Sequence, residues 1–154
     1  MAKIEQKLKD MGIELPNAPA PIANYVRAVK AGNLLFVSGH GPSRDNVMAY
    51  TGKVGDTVSI EDAYQAARLT MINMLASTKE ALGDLDRVTN IVKLLGMVNA
   101  VPDFGDQPKV INGASDLLVE LWGPEIGKHA RSAVGMGSLP NQIPVEIEMI
   151  VEFE

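Results

Sequence analysis

The chain has 154 residues, 46% of them hydrophobic and 21% charged, a length suited to one domain and a balance that excludes wholesale disorder and fibrous classes. Fourteen Lys plus Arg against nineteen Asp plus Glu leave a formal net charge of −5, which weighs against a nucleic-acid partner. Cysteine is absent, which excludes disulfides, thiolate nucleophiles and cysteine-based metal sites. Charges in the first ten residues occupy the place of a signal-peptide apolar run, and no stretch reaches 18 uninterrupted apolar residues. A cytoplasmic protein with no membrane partner is expected.

Apolar positions Ile4, Leu8 and Met11 recur at helical spacing before Gly12, predicting a short amphipathic helix over about 3–12. Pro16, Pro19 and Pro21 then hold the chain extended. Tyr25 to Ala31, the turn Gly32-Asn33 and the apolar run Leu34 to Ser38 predict a β-hairpin. A loop rich in glycine follows from Ser38-Gly39-His40-Gly41-Pro42 through Gly55. Ser59 with Asp62 three residues on forms a capping arrangement, and Ala63, Ala66, Ala67, Met71, Met74 and Leu75 share one face of a helix about six turns long that ends near Gly83. Val88 to Val98 suits a strand. Pro108 to Leu121 returns to helical spacing, closed by Gly123-Pro124. Ala130 to Met136 and the strictly alternating Val145 to Phe153 read as a closing strand pair. The expected architecture is α+β, a sheet with two long helices on one face. The opposite face, with Ile150 among glutamates and Ala133 and Gly135 on the neighbouring strand, then needs cover from another subunit.

Familiar chemical motifs are missing: no Walker loop, dinucleotide-binding glycine fingerprint, His-Glu-x-x-His or Gly-x-Ser-x-Gly is present. His40 and His129 are the two histidines, without recognisable metal-ligand spacing. His40, in a glycine-rich loop after a strand, either lines a pocket or is a solvated loop residue. Arg131 sits among small and apolar neighbours, where a permanent charge needs an anion. Either Glu146 or Glu148 of the following strand satisfies it, or a ligand carboxylate or phosphate does so through a bidentate fork. Glu146 is either a solvated residue of an alternating strand or, if covered by a neighbouring subunit, a general acid or base.

Ala130-Arg131-Ser132-Ala133-Val134, then Leu139-Pro140 and Pro144-Val145-Glu146-Ile147-Glu148, resemble the signature of the reactive intermediate deaminase family, also called RidA, YjgF or endoribonuclease L-PSP. Ala20 to Tyr25, Gly32 to Gly39, Phe104 and Asn112 extend the likeness over about residues 18–153. The resemblance implies a chorismate-mutase-like α+β fold over a single domain, 1–154, and a homotrimer with ligand clefts between subunits. It further implies hydrolytic deamination of small 2-enamino or 2-imino acids to 2-keto acids and ammonia, with no cofactor. In it Arg131 holds the substrate carboxylate, Glu146 positions water, and Tyr25, Ser38, Gly39, His40, Asn112 and Ala133 line the cleft. The chain departs from deaminase-active members at Ala133, where they commonly carry cysteine, and at His40, where they carry an uncharged residue. The N-terminal helix, the Ser43 to Val58 loop and the residues around Gly105 to Lys109 mark a divergent branch. Two other readings stay open: a protein that binds or senses a small carboxylate metabolite without chemistry, and an endoribonuclease or translation inhibitor, against which the acidic balance argues.

Overall fold

In a computed structural model that describes residues 3–154, one helical layer packs on one face of a five-stranded mixed sheet. The helices are α1 (Lys3–Asp10), α2 (Ile60–Leu82) and α3 (Gln107–Gly127), and the strands are β1 (Ala28–Ala31), β2 (Leu34–His40), β3 (Ser43–Arg44), β4 (Val47–Met48), β5 (Val88–Asn99), β6 (Ala130–Met136) and β7 (Val145–Phe153). The expected α+β class is the one observed. None of the described helices is long and apolar enough to cross a membrane.

Helix α2 begins where the capping pattern places it. Ser59 Oγ accepts the Asp62 N–H at 3.1 Å, and Glu61 and Asp62 set negative charge at the helix's positive end. Its apolar stripe, Ala63, Ala66, Ala67, Met71, Met74 and Leu75, is buried. The same face buries Thr70, Asn73, Ser77 and Thr78, which alternation of apolar residues does not announce. Thr70 and Thr78 satisfy their hydroxyls on the carbonyls one turn back. Asn73 Nδ2 instead donates to the Gly41 and Ser43 carbonyls at 3.1 and 2.9 Å, tying down the loop that leaves β2.

Four expected elements differ in extent or pairing. The closing strand pair is not a hairpin: β7 enters between β2 and β5, antiparallel to both, whereas β6 lies on the far side of β5 and runs parallel to it. The chain from β5 through α3 to β6 is therefore a parallel crossover, and β6 is an edge strand. Strand β1 starts at Ala28 rather than Tyr25. The long loop contains the small ribbon β3–β4, whose turn residues Asp45 and Asn46 both have positive φ, as a two-residue primed turn requires. Helix α3 does not stop at Gly123-Pro124. Gly123 (φ 78°) bends the chain, and Pro124, at the start of the renewed turn, leaves no amide unpaired as the helix continues to Gly127.

The period-two pattern of β7 decides the two faces of the sheet. Val145, Ile147, Met149 and Val151 are buried under the helices with Leu35, Val37, Ile91, Leu94 and Val98. Glu146, Glu148 and Ile150 point the other way, beside Met97, Leu95 and Lys93 of β5. On that second face Val29 and Phe36 remain 53% and 43% exposed, so it is uncovered and partly apolar in a single chain; Ala133 and Gly135, expected on it, instead pair with Gly96 and Val98 of β5 and face the helices, because β6 is not a neighbour of β7. The short α1 buries Ile4 and Leu8 and is capped from outside its own segment: both carboxylate oxygens of Asp86 accept amides, from Lys3 at 2.7 Å and Ile4 at 2.8 Å. Those bonds, led by the one from Ile4, hold the Asp86 pKa below its ordinary value.

The two long helices meet at Gly113, where an added Cβ would lie 2.0 Å from the Tyr64 carbonyl oxygen and 3.2 Å from Ala67 Cβ. A backbone atom cannot move aside as a flexible side chain would. Gly113→Ala is therefore expected to destabilise the fold by about 1–3 kcal/mol through overpacking, read as a lower urea midpoint with an unchanged m-value; a midpoint equal to that of the parent protein would contradict this close approach.

Candidate functional site

The residues singled out by sequence fall into two separate groups. Tyr25, Ser38, Gly39, His40 and Glu146 line one open cleft of about 580 Å³, together with Arg27, Glu148 and the 19–23 segment. Asn112, Arg131 and Ala133 lie on the helix-covered face at the β6 edge: Arg131 and Ala133 stand beside the buried Leu94 and Gly96 of β5, Ala133 packs on the core, and Asn112 projects from α3.

The first group is arranged by a β-bulge. Val37 pairs with Met149 and His40 with Ile147, so three steps along β2 match two along β7. The extra residue resets the alternation. His40 is turned under the helices, where it is 7% exposed, and Ser38 and Gly39 are left at the cleft. His40 is thus not the solvated loop residue one reading allowed. Its Nδ1 lies 2.6 Å from the Ser38 carbonyl oxygen and its Nε2 2.8 Å from Ser77 Oγ, and burial lowers its pKa. A carbonyl oxygen accepts only, so Nδ1 carries the hydrogen and Nε2 accepts from Ser77. Both nitrogens are spent on holding the strand end to α2, which makes His40 a support of the cleft wall.

Gly39 is the residue that makes room for the carboxylate. A Cβ at this position would sit 2.7 Å from Glu146 Oε2. Glu146 is half-buried on β7 beside Glu148, two residues on and on the same face. Burial first, and the Glu148 charge second, raise its pKa above the ordinary 4.5. A carboxyl group that is costly to ionise and faces a cleft has the properties of a general base or acid. The neighbouring Ser38 hydroxyl donates to the Val26 carbonyl at 2.6 Å, which fixes the stretch between Tyr25 and β1 against the bulge.

Neither Glu146 nor Glu148 satisfies Arg131. They are separated from it by β5, since Met97 pairs with Glu146 and Leu94 with Arg131. Two strand spacings and three residues of rise amount to roughly 14 Å between backbones, with the side chains on opposite faces. Arg131 instead donates through Nη1 to Asn112 Oδ1 at 2.8 Å and to Ser115 Oγ at 3.1 Å. Both Nη1 hydrogens are used, and the Nε–H and two Nη2–H groups have no protein partner among the described residues. Two neutral oxygens orient the guanidinium without neutralising it, so the cation retains the capacity to bind an anion. Ser115, which sequence reasoning passed over, is the residue four positions C-terminal to Ile111 on α3. Helical spacing puts it three residues from Asn112, on the same side.

Within one chain, then, the Arg131 guanidinium at the β6 edge and the Glu146 cleft do not meet. The chain has counterparts across its length. Residues 5–148 match the family described as "YjgF/chorismate_mutase-like, putative endoribonuclease". Protein TCP17 of Trypanosoma cruzi is 42% identical, with 97% of this chain and 94% of that protein covered. A 2-iminobutanoate/2-iminopropanoate deaminase of Dermatophagoides farinae is 31% identical over 92% of this chain and 95% of its own. The crystal structure of Atu1372 from Agrobacterium tumefaciens, a protein of unknown function, superposes with a TM-score of 0.91 at 47% identity, covering 98% of this chain and 92% of that one. Sequence and fold converge on one conclusion: the chain belongs to the YjgF/RidA family and has its chorismate-mutase-like α+β fold.

Proposed function

We propose that the protein hydrolyses small 2-imino acids, or their 2-enamino tautomers, to 2-keto acids at a site assembled between copies of the chain. The observation that carries this reading is the division of the functional groups: Arg131 and Glu146 lie on opposite faces of one sheet, each with capacity its own chain does not use. A cyclic homotrimer of a single 1–154 domain would bring the Arg131 edge of one copy to the Glu146 cleft of the next. It would also cover Val29 and Phe36. The deaminase name of a 31% identical relative supports the reaction class, and we take the protein to act in the cytoplasm.

In this reaction the guanidinium holds the substrate carboxylate, which leaves the imine carbon facing the Glu146 cleft. Glu146, as the carboxylate, takes a proton from water as its oxygen adds to that carbon. Glu146 returns that proton to nitrogen, giving the carbinolamine, then relays the carbinolamine's hydroxyl proton to the amino group as the C–N bond breaks, so that ammonia leaves and the keto group forms. One imino acid and one water give one keto acid and one ammonia. An imine carbon is already electrophilic, so positioning and proton transfer suffice and the residues call for no cofactor. Ala133, in place of a cysteine, contributes its backbone and a small apolar wall.

Arg131→Ala is expected to lower kcat/KM for freshly generated 2-iminobutanoate by on the order of 10²-fold or more, and Glu146→Gln by about 10²–10⁴-fold. Mixed as equal parts of unfolded chains and refolded together, the two inactive variants should recover about one quarter of the parent activity, because hybrid sites take Arg131 from one copy and Glu146 from another. Recovery of nothing, with trimers demonstrably mixed, would mean that no working site draws the two groups from different copies and would sink the reading. Tight binding of 2-oxobutanoate without any acceleration of imine loss would favour a metabolite sensor, and cleavage of RNA insensitive to Arg131→Ala would favour the ribonuclease.

The raised pKa of Glu146 sets a second outcome. The base must be ionised, so activity should fall as the pH drops through a value above 4.5, and Glu148→Gln should move that limb to lower pH. Folding takes up a proton at Glu146 between the ordinary and the raised pKa, so this group's contribution to stability diminishes as pH rises through that window. Glu146→Gln should remove both effects; a pH–rate limb left unmoved by Glu148→Gln would show that another group controls it.

A further inference from the structure

The two ends of the Arg131 guanidinium are not equivalent, and the reason lies in His129, a side chain the proposed chemistry does not use. His129 immediately precedes β6. Its Nδ1 is 2.7 Å from the Gly127 carbonyl oxygen and its Nε2 2.9 Å from Ser115 Oγ. The carbonyl accepts only, so Nδ1 carries the ring hydrogen and, in the neutral ring, Nε2 is an acceptor. Ser115 must then give its single hydroxyl hydrogen to Nε2, which turns its lone pairs toward Arg131 Nη1. Hydrogens therefore run one way, from Arg131 to Ser115, from Ser115 to His129 and from His129 to the backbone of the last turn of α3. Nowhere does a donor face a donor. Burial is the main cause that lowers the His129 pKa from 6.5; the bond to Gly127 opposes it, and the adjacent guanidinium adds to it by a smaller amount, which favours the neutral ring with its acceptor available.

We propose that His129 is a positioning residue which, through Ser115, commits Nη1 of Arg131 to the protein and leaves the Nε and Nη2 edge as the fork open to a ligand carboxylate. An end-on fork would need an Nη1 hydrogen, and both are taken. A side-on grip fixes the plane of the carboxylate relative to the strand and thus the direction in which the attached carbon points. The proposal rests on the reading of Arg131 as a carboxylate anchor.

The test compares His129→Leu, which removes the acceptor, with His129→Gln, whose Oε1 can replace Nε2, in the full-length protein. With 2-oxobutanoate as the binding probe and 2-iminobutanoate as substrate, His129→Leu should raise Kd and KM by roughly tenfold with kcat within about a factor of two, and His129→Gln should restore both. Equal values for the parent and His129→Leu overturn the proposal, as does equal impairment of the two variants, which marks a merely structural role. A separate readout covers the case in which the parent neither binds nor turns over these compounds, which would defeat the functional reading alone. Nitrogen-15 spectra should then show the Nδ1–H tautomer at His129 and slowed rotation at the Arg131 guanidinium that speeds up in His129→Leu and not in His129→Gln. Free rotation in the parent protein would overturn the relay itself.

Discussion

Val145, Ile147, Met149 and Val151 press from β7 into the layer formed by α2 and α3, and this apolar seam dictates where every functional group of the molecule lies. Because side chains of a strand alternate, burying one set sends Glu146, Glu148 and Ile150 to the other face without further instruction. Because β7 sits centrally, between β2 and β5, the glutamates emerge in the middle of the open face beside the bulged end of β2. The guanidinium is subject to the opposite constraint. Arg131 shares its face with Ala133, and only the position of β6 at the sheet rim lets a long cationic side chain on the helix-covered side stay partly in contact with solvent.

Much of the fold was legible because the local signals agree with one another. Ser59 and Asp62 mark the start of α2 by a bond that forms as expected, and the alternation of β7 predicts its buried face residue by residue. Pairing was less accessible. Nothing in Ala130 to Met136 states whether its partner is the next strand or the previous one, and a short connection through Leu139 to Pro144 favours a hairpin on grounds of proximity alone. The parallel crossover wins because α3 must cover β5, and Gly96, where a Cβ would lie 2.5 Å from Ile111, lets the helix lie close to that strand.

The site divides along the same line. Arg131, Glu146 and Asn112 stood out by type and by family pattern, and Asn112 is indeed bonded to Arg131. Of the two readings of Arg131, the ion pair with Glu146 or Glu148 fails together with the hairpin that would have formed it. Of the two readings of His40, the sequence alone does not choose the buried one that lines the cleft: a bulge between Val37 and His40 shifts the alternation by one residue, and no residue type in Ser38-Gly39-His40 encodes that extra step unambiguously. Ser115 and the role of its hydroxyl depend on where its single hydrogen points, which becomes definite only when the Gly127 carbonyl and the His129 ring are seen together.

Strand β6 also has an outer margin. With β5 on one side only, it leaves a row of amide and carbonyl groups unclaimed, the kind of border along which unrelated chains stack into ribbons. On the assembly proposed above, the strand bearing the guanidinium lies at the contact between copies, so association that completes the chemistry would shield this border as well. Selection for turnover and selection against aggregation would then act on the same seven residues, and a substitution there could be rejected for solubility even where it spared the reaction.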